Sequence, residues 1–322
     1  MASLDITKAV VPAAGRGTRL YPATKSQAKE MLPLGTKPTI QHVVEELAEA
    51  GIRQILIITG RMKRAIEDHF DADARWLEEL GEGKVADDGW PHAVEIFYTR
   101  QSQQLGLGDA VSRARAFCGD EPFVVALGDS VITRSRPGPG ILSRLVEHFG
   151  QRDCAACIAT YQVAPEDTSR YGILAPKQEA AGHRPFAVGD ILEKPGPTLS
   201  PSNWAISARY VFTPEIFETI EESRSIVRPG EEVQLTDAIR RLIGRGRQVW
   251  AVPLAEGEVR LDVGDFRSYG RAFARVMATH PRHGKAFVEY LRKLVAYVDG
   301  EGEDPDCWSA WTDEPRRKGE GQ

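Results

Sequence analysis

Long apolar runs are missing from this chain of 322 residues. The most apolar segments, Val94–Tyr98 and Phe123–Leu127, are strand-sized, far short of the roughly 18 residues of a membrane span, so no membrane is expected as a partner. Cysteine is scarce as well. Cys118, Cys154, Cys157 and Cys307 do not make a disulfide framework in a chain this long. The stretch Met1–Lys8 has no basic segment leading into an apolar core, which excludes a secretory leader and leaves the cytoplasm as the expected compartment. Positive charge is not in excess either. Lys and Arg number 41 against 46 Asp and Glu, a net charge of -5, so no nucleic acid partner is expected. The seven histidines form no i, i+4 pair around a Glu, and there is no Gly-x-Ser-x-Gly elbow, so zinc hydrolases and serine hydrolases are disfavoured. What is present is an ordinary globular composition, 42% hydrophobic and 27% charged, able to bury a core.

Short β-branched runs alternate with amphipathic stretches. Strands are expected at Lys8–Ala13, Ile55–Thr59, Val94–Thr99 and Phe123–Leu127, with helices at Ile40–Ala50 (capped by Gly51), Lys63–Phe70 and Ala110–Phe117. That rhythm argues for a parallel sheet covered on both faces. The second half carries further strand signals at Ala155–Val163, Ile191–Glu193, Ala205–Phe212 and Gln248–Pro253, and no linker separates the halves. One unit over residues 1–298 is expected, with a nucleotide half at about 1–150 and a sugar-binding half at about 151–298. Residues 299–322 read as a charged, mobile tail, in which Trp308 and Trp311 are unusual.

The strongest local signal is the first strand-to-helix junction, Val11–Pro33. A strand running into Gly15, Gly17 and Thr18 lets backbone pass close to a phosphate chain, because glycine has no Cβ to collide. The loop is neither a GxGxxG nor a Walker A motif. Arg19, Lys25 and Lys29 follow it, a local cluster of cations that points to an anionic ligand. Cys154 and Cys157 have zinc-knuckle spacing without a second pair, and read as core thiols.

This junction resembles the bacterial UTP–glucose-1-phosphate uridylyltransferases, a branch of the sugar nucleotidyltransferases. The likeness runs over residues 7–295 and takes in Lys37–Gln41, Arg64–Asp71, Gly106–Val111, Leu127–Asp129, Arg170–Ile173, Glu193–Pro195, Pro201–Asn203, Glu232–Asp237 and Asp262–Gly264, in family order. It implies a Rossmann-like α/β nucleotidyltransferase fold with a mixed central sheet covered by helices. It implies Mg²⁺-dependent transfer of a uridylyl group from UTP to a sugar 1-phosphate, most simply glucose 1-phosphate, by a homodimer or homotetramer. By the same resemblance Arg19 grips the triphosphate and the leaving pyrophosphate, Lys29 faces the α-phosphate and Lys194 positions the attacking sugar phosphate. Asp129 and Asp262 become the metal ligands, a role that suits single carboxylates at strand ends. Ala14, Gly15, Gly17, Glu30, Gln101 and Gly106 would hold the nucleotide, and Gly172, Glu193, Asn203 and Trp204 the sugar. Asp237 is left as a helix-start acid.

The chain departs from the family pattern at four places. Asp109 stands where His is usual, Thr36 where Asp is usual, Trp204 where a small aliphatic residue is usual, and Ser130 replaces the second acid of Gly-Asp-Asp. The departures bear on which sugar and which base are used. The alternatives are dTTP or GTP as donor, a modified sugar or cyclitol 1-phosphate as acceptor, or a non-catalytic regulatory relative that binds nucleotide sugars.

Overall fold

The computed structural model describes residues 5–71, 94–180 and 182–306. Trp308 and Trp311, and the end of the expected tail, lie outside the described residues, as does Cys307. Thirteen strands occur among them: β1 (Lys8–Pro12), β2 (Pro33–Leu34), β3 (Lys37–Pro38), β4 (Gln54–Thr59), β5 (Glu95–Arg100), β6 (Phe123–Ala126), β7 (Ser130–Arg134), β8 (Ala156–Gln162), β9 (Gly172–Pro176), β10 (Phe186–Glu193), β11 (Trp204–Phe212), β12 (Val249–Pro253) and β13 (Glu258–Asp262). Nine of these build one sheet in the order β5-β4-β1-β6-β11-β8-β12-β10-β9, which runs without a break across both halves of the chain.

The first four strands of that order are mutually parallel, and β11 pairs antiparallel with β6 and β8. The sheet is therefore mixed. Its central strands β1, β4 and β6 are apolar through their middles because both faces are covered. Ala9, Val11, Ile55, Ile57, Val124 and Ala126 pack into one core layer, and Val10, Leu56, Ile58, Phe123 and Val125 into the other. Helix Thr39–Glu49 shows how a flanking element is specified. Its buried Ile40, Val43, Val44 and Leu47 follow helical spacing, and Gly51 at φ 94 lets the chain leave in a left-handed conformation.

Two expectations need adjustment. The helix expected at Ala110–Phe117 is two short ones, Leu107–Ser112 and Arg115–Cys118. Arg113 and Ala114 donate to carbonyls three residues back, which tightens the chain between them. β10 begins at Phe186, five residues before the expected start, and accommodates an irregularity between Val188 and Asp190. The two-stranded ladder of β7 and β13, which the alternation did not reveal, sets Asp262 opposite Ser130. No helix among the described residues is long and apolar enough to cross a membrane.

Candidate active site

β1 and β6 are parallel neighbours, and the chain leaves both at the same edge of the sheet. The glycine loop follows β1, Asp129 follows β6, and the β7–β13 ladder carries Asp262 alongside, where Val263 donates its backbone N–H to the Asp129 carbonyl at 3.0 Å. This is the carboxyl edge of parallel strands, where open α/β sheets bind ligands. Gly17 sits at φ 66 and opens the turn Thr18–Leu20, which carries Arg19 to the surface. Lys29 reaches back under the loop, its ammonium 3.4 Å from where a Cβ on Gly15 would lie, and donates to the Asp129 carboxylate.

Charge balance defines this end of the cleft. Burial alone would push the Lys29 ammonium down, but Asp129, Glu30 and Asp262 together hold it above its ordinary value. Burial likewise opposes ionisation of Asp129, and Lys29 followed by Arg260 outweighs it, holding that carboxyl below its usual range. Burial and the nearby Asp129 push Asp262 up, against the pull of Arg260. Arg260 is a residue of this cluster that sequence reasoning missed. It donates to Asp262 at 3.0 Å, to the Ser130 hydroxyl at 2.9 Å and to the Tyr161 hydroxyl at 2.9 Å, and lies over the Tyr171 ring. The signal was its place two residues before Asp262 in a strand, which puts both on one face. Ser130 takes one of its donors here in place of a second acid. Gly264 is required by packing, since a Cβ there would meet Asp262 Oδ2 at 2.6 Å and Arg19 Nη2 at 3.1 Å.

On the base side, Ala14 and Gly15 are tied to the 101–106 loop through Gln104, which donates to the Ala14 carbonyl at 2.8 Å and accepts from Arg16. Gly106 at φ 103 packs so closely on Val233 that a Cβ would lie 2.6 Å from its carbonyl oxygen. Gln101 is buried behind it. Glu30, which the resemblance assigns to the nucleotide, is instead sealed in an ion pair with Lys63 at 2.6 Å. Its carboxylate is only 1% exposed, so it braces the loop from beneath and is not open to a base.

Where the resemblance places the sugar, a cavity of about 240 Å³ is lined by Tyr171, Gly172, Glu193, Lys194, Thr236 and Arg260, among others. Gly172 is needed there, because a Cβ would lie 2.8 Å from Ile206 and 2.9 Å from Thr236. Glu193 accepts from the Thr236 hydroxyl at 3.1 Å and stands 3.4 Å from the Lys194 ammonium. Lys194 has φ 47, a strained left-handed conformation for a residue with a side chain, and its side chain stays more than half exposed. β11 lines the cavity through Ile206, Ala208 and Tyr210, with Ala208 at φ 55 in an irregularity of the strand. Of the residues expected at the sugar, Asn203 and Trp204 do not line this cavity. Asn203 is exposed before β11, and Trp204 packs on Phe186 with ring centres 5.3 Å apart, at the edge of a separate cavity with Tyr161 and His183. The register pairs Trp204 with Leu174, two positions along β9 from Gly172, and the indole turns to Phe186.

Outside the cleft, Cys154 and Cys157 are buried thiols 3.8 Å apart, as expected of core cysteines. Asp237 lies in the first turn of helix Leu235–Gly244, as expected of a helix-start acid. Asp109 is fully buried, and Thr36 lies on the surface near His280.

A phosphate-sized glycine loop, two strand-end carboxylates and a ring of cations at the carboxyl edge of a mixed sheet define a nucleotide-handling transferase. The chain belongs to the nucleotidyl transferase family, whose model matches residues 8–279. It is 46% identical over 265 residues to the UTP–glucose-1-phosphate uridylyltransferase of Bacillus subtilis, covering 81% of this chain and 87% of that protein. It is 42% identical over 297 residues to UTP–glucose-1-phosphate uridylyltransferase 1 of Streptococcus pyogenes serotype M3, covering 90% and 94%. Among solved structures, the UTP-bound UGPase of Acinetobacter baumannii superposes with a TM-score of 0.80 at 33% identity, over 90% of this chain and 99% of that one. A UDP-glucose pyrophosphorylase complexed with UDP-glucose superposes with a TM-score of 0.73 at 36% identity, over 84% and 98%.

Proposed function

We propose that this chain transfers a uridylyl group from UTP to glucose 1-phosphate, giving UDP-glucose and pyrophosphate. The observation that carries the reading is the link through Arg260, which lines the Glu193–Lys194 cavity and donates to Asp262 beside the Lys29–Asp129 pair and the glycine loop. The full-length relatives named for this reaction support it.

Two phosphate-bearing reactants must approach each other, so the site has to offset repulsion and stabilise charge that builds at the α-phosphorus. Lys29 stays protonated at neutral pH, since its neighbours hold its pKa above the ordinary value, and would face the α-phosphate. Arg19, exposed at the mouth beside Asp262, would hold the leaving pyrophosphate. Lys194 would orient the sugar phosphate, whose oxygen attacks in line without a general base because it is already an anion. Glu193 would accept from a sugar hydroxyl. Gly15, Gly17 and Ala14 would let the nucleotide lie against backbone, with Gln101 and Gly106 at the base.

Asp129 and Asp262, whose charges interact, would hold a divalent cation between them. No group of three or more His, Cys, Asp or Glu gathers as a closed metal site among the described residues. Two carboxylates with the rest of the shell left to water and phosphate oxygens suit Mg²⁺. When bound, Mg²⁺ would supply charge neutralisation on the phosphates. The family resemblance alone supports a cytoplasmic homodimer or homotetramer.

The decisive experiment is a pyrophosphate-release screen crossing five nucleoside triphosphates with a panel of sugar 1-phosphates. UTP with glucose 1-phosphate should give the highest kcat/KM, and a different best pair would replace the reading. Within that assay, Arg19→Ala should mainly impair use of UTP, and Lys194→Ala use of glucose 1-phosphate, with kcat lowered in both. Equal effects on both KM values with kcat untouched would contradict the division. Trp204→Leu, outside the lining of the sugar cavity, should leave the preference among acceptors unchanged and lower stability by about 2 kcal/mol through lost core packing. A tenfold change in acceptor preference in a stably folded Trp204→Leu would put the indole back at the sugar.

A further inference from the structure

We propose that Asp109 is a positioning residue for base choice, acting by fixing which end of the Gln101 amide is offered to the nucleotide base. The inference rests on the reading that Gln101 faces the base, and it adds what makes that contact selective.

The Gln101 Nε2 donates to the Gly106 carbonyl at 3.1 Å and to Asp109 Oδ2 at 2.8 Å. Both partners are oxygens that only accept, so whichever terminal atom of the amide lies against them must be the nitrogen. The amide cannot turn over without setting its own oxygen against two others. Its two N–H groups are thereby occupied, and Oε1, which has no partner among the described residues, is the one group left to offer. Gln101 is thus converted from a side chain able to donate or accept into an acceptor alone. Uracil presents a ring N3–H to such an acceptor. Cytosine presents a bare N3 lone pair, and the two would repel.

The orienting carboxylate is itself held. Asp109 is fully buried, and its other oxygen accepts from Arg113 Nη2 at 3.0 Å and from Arg224 Nη2 at 2.8 Å. Arg224 also donates to the Ser112 hydroxyl at 2.7 Å and pairs with Glu221 at 2.9 Å. Two guanidinium groups compensate the buried charge and fix the plane of the carboxylate, so Oδ2 stays turned to Gln101. An acid where the family usually has His is accordingly no source of repulsion toward the nucleotide. Its charge is balanced from behind.

Asp109→Asn is the sharp test. Arg113 and Arg224 demand an oxygen, so the new amide would turn its NH₂ toward Gln101 and set the two locks on that side chain against each other. With glucose 1-phosphate as acceptor, the ratio of kcat/KM for UTP over CTP should fall at least about tenfold, while the KM for glucose 1-phosphate stays constant. The double variant Asp109→Asn/Arg224→Gln keeps the charge balance, still leaves Arg113 to orient the amide, and should lower the ratio likewise. It stands in if the single variant does not fold. Gln101→Leu separates the two claims. If it leaves the UTP-over-CTP ratio intact, Gln101 does not face the base, and the reading falls with the proposal. If it lowers the ratio while the Asp109 variants, folded by their melting curves, keep the wild-type ratio, the role of Asp109 is overturned and the reading of Gln101 stands.

Discussion

Asp129→Asn is expected to lower kcat by at least about a hundredfold while the melting temperature moves little. The two outcomes separate because the side chain and backbone of Asp129 do different work. The backbone carbonyl accepts from Val263 N–H and joins the end of β6 to the end of β13 whatever the side chain is. The carboxylate is one of the pair, with Asp262, proposed to meet the cation, and it also pairs with Lys29. Asparagine keeps an oxygen of similar size but loses the charge. Lys29 would then have Glu30 and Asp262 as its remaining anionic neighbours and would be drawn from the position in which Asp129 holds it. One substitution therefore removes a metal ligand and misplaces the cation that faces the α-phosphate. Pyrophosphate release at saturating Mg²⁺, read beside a thermal melt, checks both halves. Near wild-type turnover at saturating Mg²⁺ would take Asp129 out of the metal site and leave it as a partner of Lys29 alone.

The elements that sequence conveyed well are those set by local pattern. β1, β4 and β6 are apolar through their middles, and the glycine loop after β1 needs glycine for backbone approach, so both were legible before any contact was known. Asp129 and Asp262 stood out only through resemblance, because the ladder that joins them pairs residues more than a hundred positions apart. Arg260 was overlooked for a different reason. A lone Arg in a strand reads as a solvated edge residue, and only the fold shows it buried under Tyr161 and Tyr171 with Asp262 as its counter-charge. Glu30 misled in the opposite direction. The resemblance assigned it to the nucleotide, whereas Lys63, at the start of the helix after β4, takes it up in a buried ion pair. Trp204 was harder to place, because a family motif reports position along the chain, while packing on Phe186 decides which cavity the indole borders. In each case a non-local partner decided the outcome, and no window of sequence contains it.

Arg209 is the clearest instance, and its loss should produce the largest stability effect in the molecule. It is fully buried in β11, yet its guanidinium is satisfied at every side. Nε and Nη2 donate to Glu46 Oε2 at 3.1 and 2.7 Å, Nη2 also to the Ser130 carbonyl at 2.8 Å, and Nη1 to the Ala208 carbonyl at 3.0 Å. Those last two carbonyls belong to the strand irregularity beside the sugar cavity and to the residue after Asp129. Arg209→Met would leave Glu46 inside the protein with its counter-charge gone, which costs about 3–5 kcal/mol. In a chain of this size that is roughly 10 °C of melting temperature. Glu46→Met/Arg209→Met, which removes both charges at similar volume, should recover most of the loss, because the cost lies in the orphaned charge. The deficit should also depend on pH. Burial already pushes the Glu46 carboxyl above its ordinary value with Arg209 pulling it down, and without Arg209 it would rise further. A carboxyl with a raised folded pKa binds its proton more tightly when folded. Its stabilising effect is therefore present at low pH and lost as pH rises through the folded pKa. The Arg209→Met deficit should accordingly shrink between pH 8 and pH 5, and the double variant, with no carboxyl at position 46, should lack that dependence. Denaturant melts of the three proteins at both pH values check this. A deficit in Arg209→Met that is the same at pH 5 and pH 8 would mean that Glu46 finds another counter-charge when Arg209 is gone.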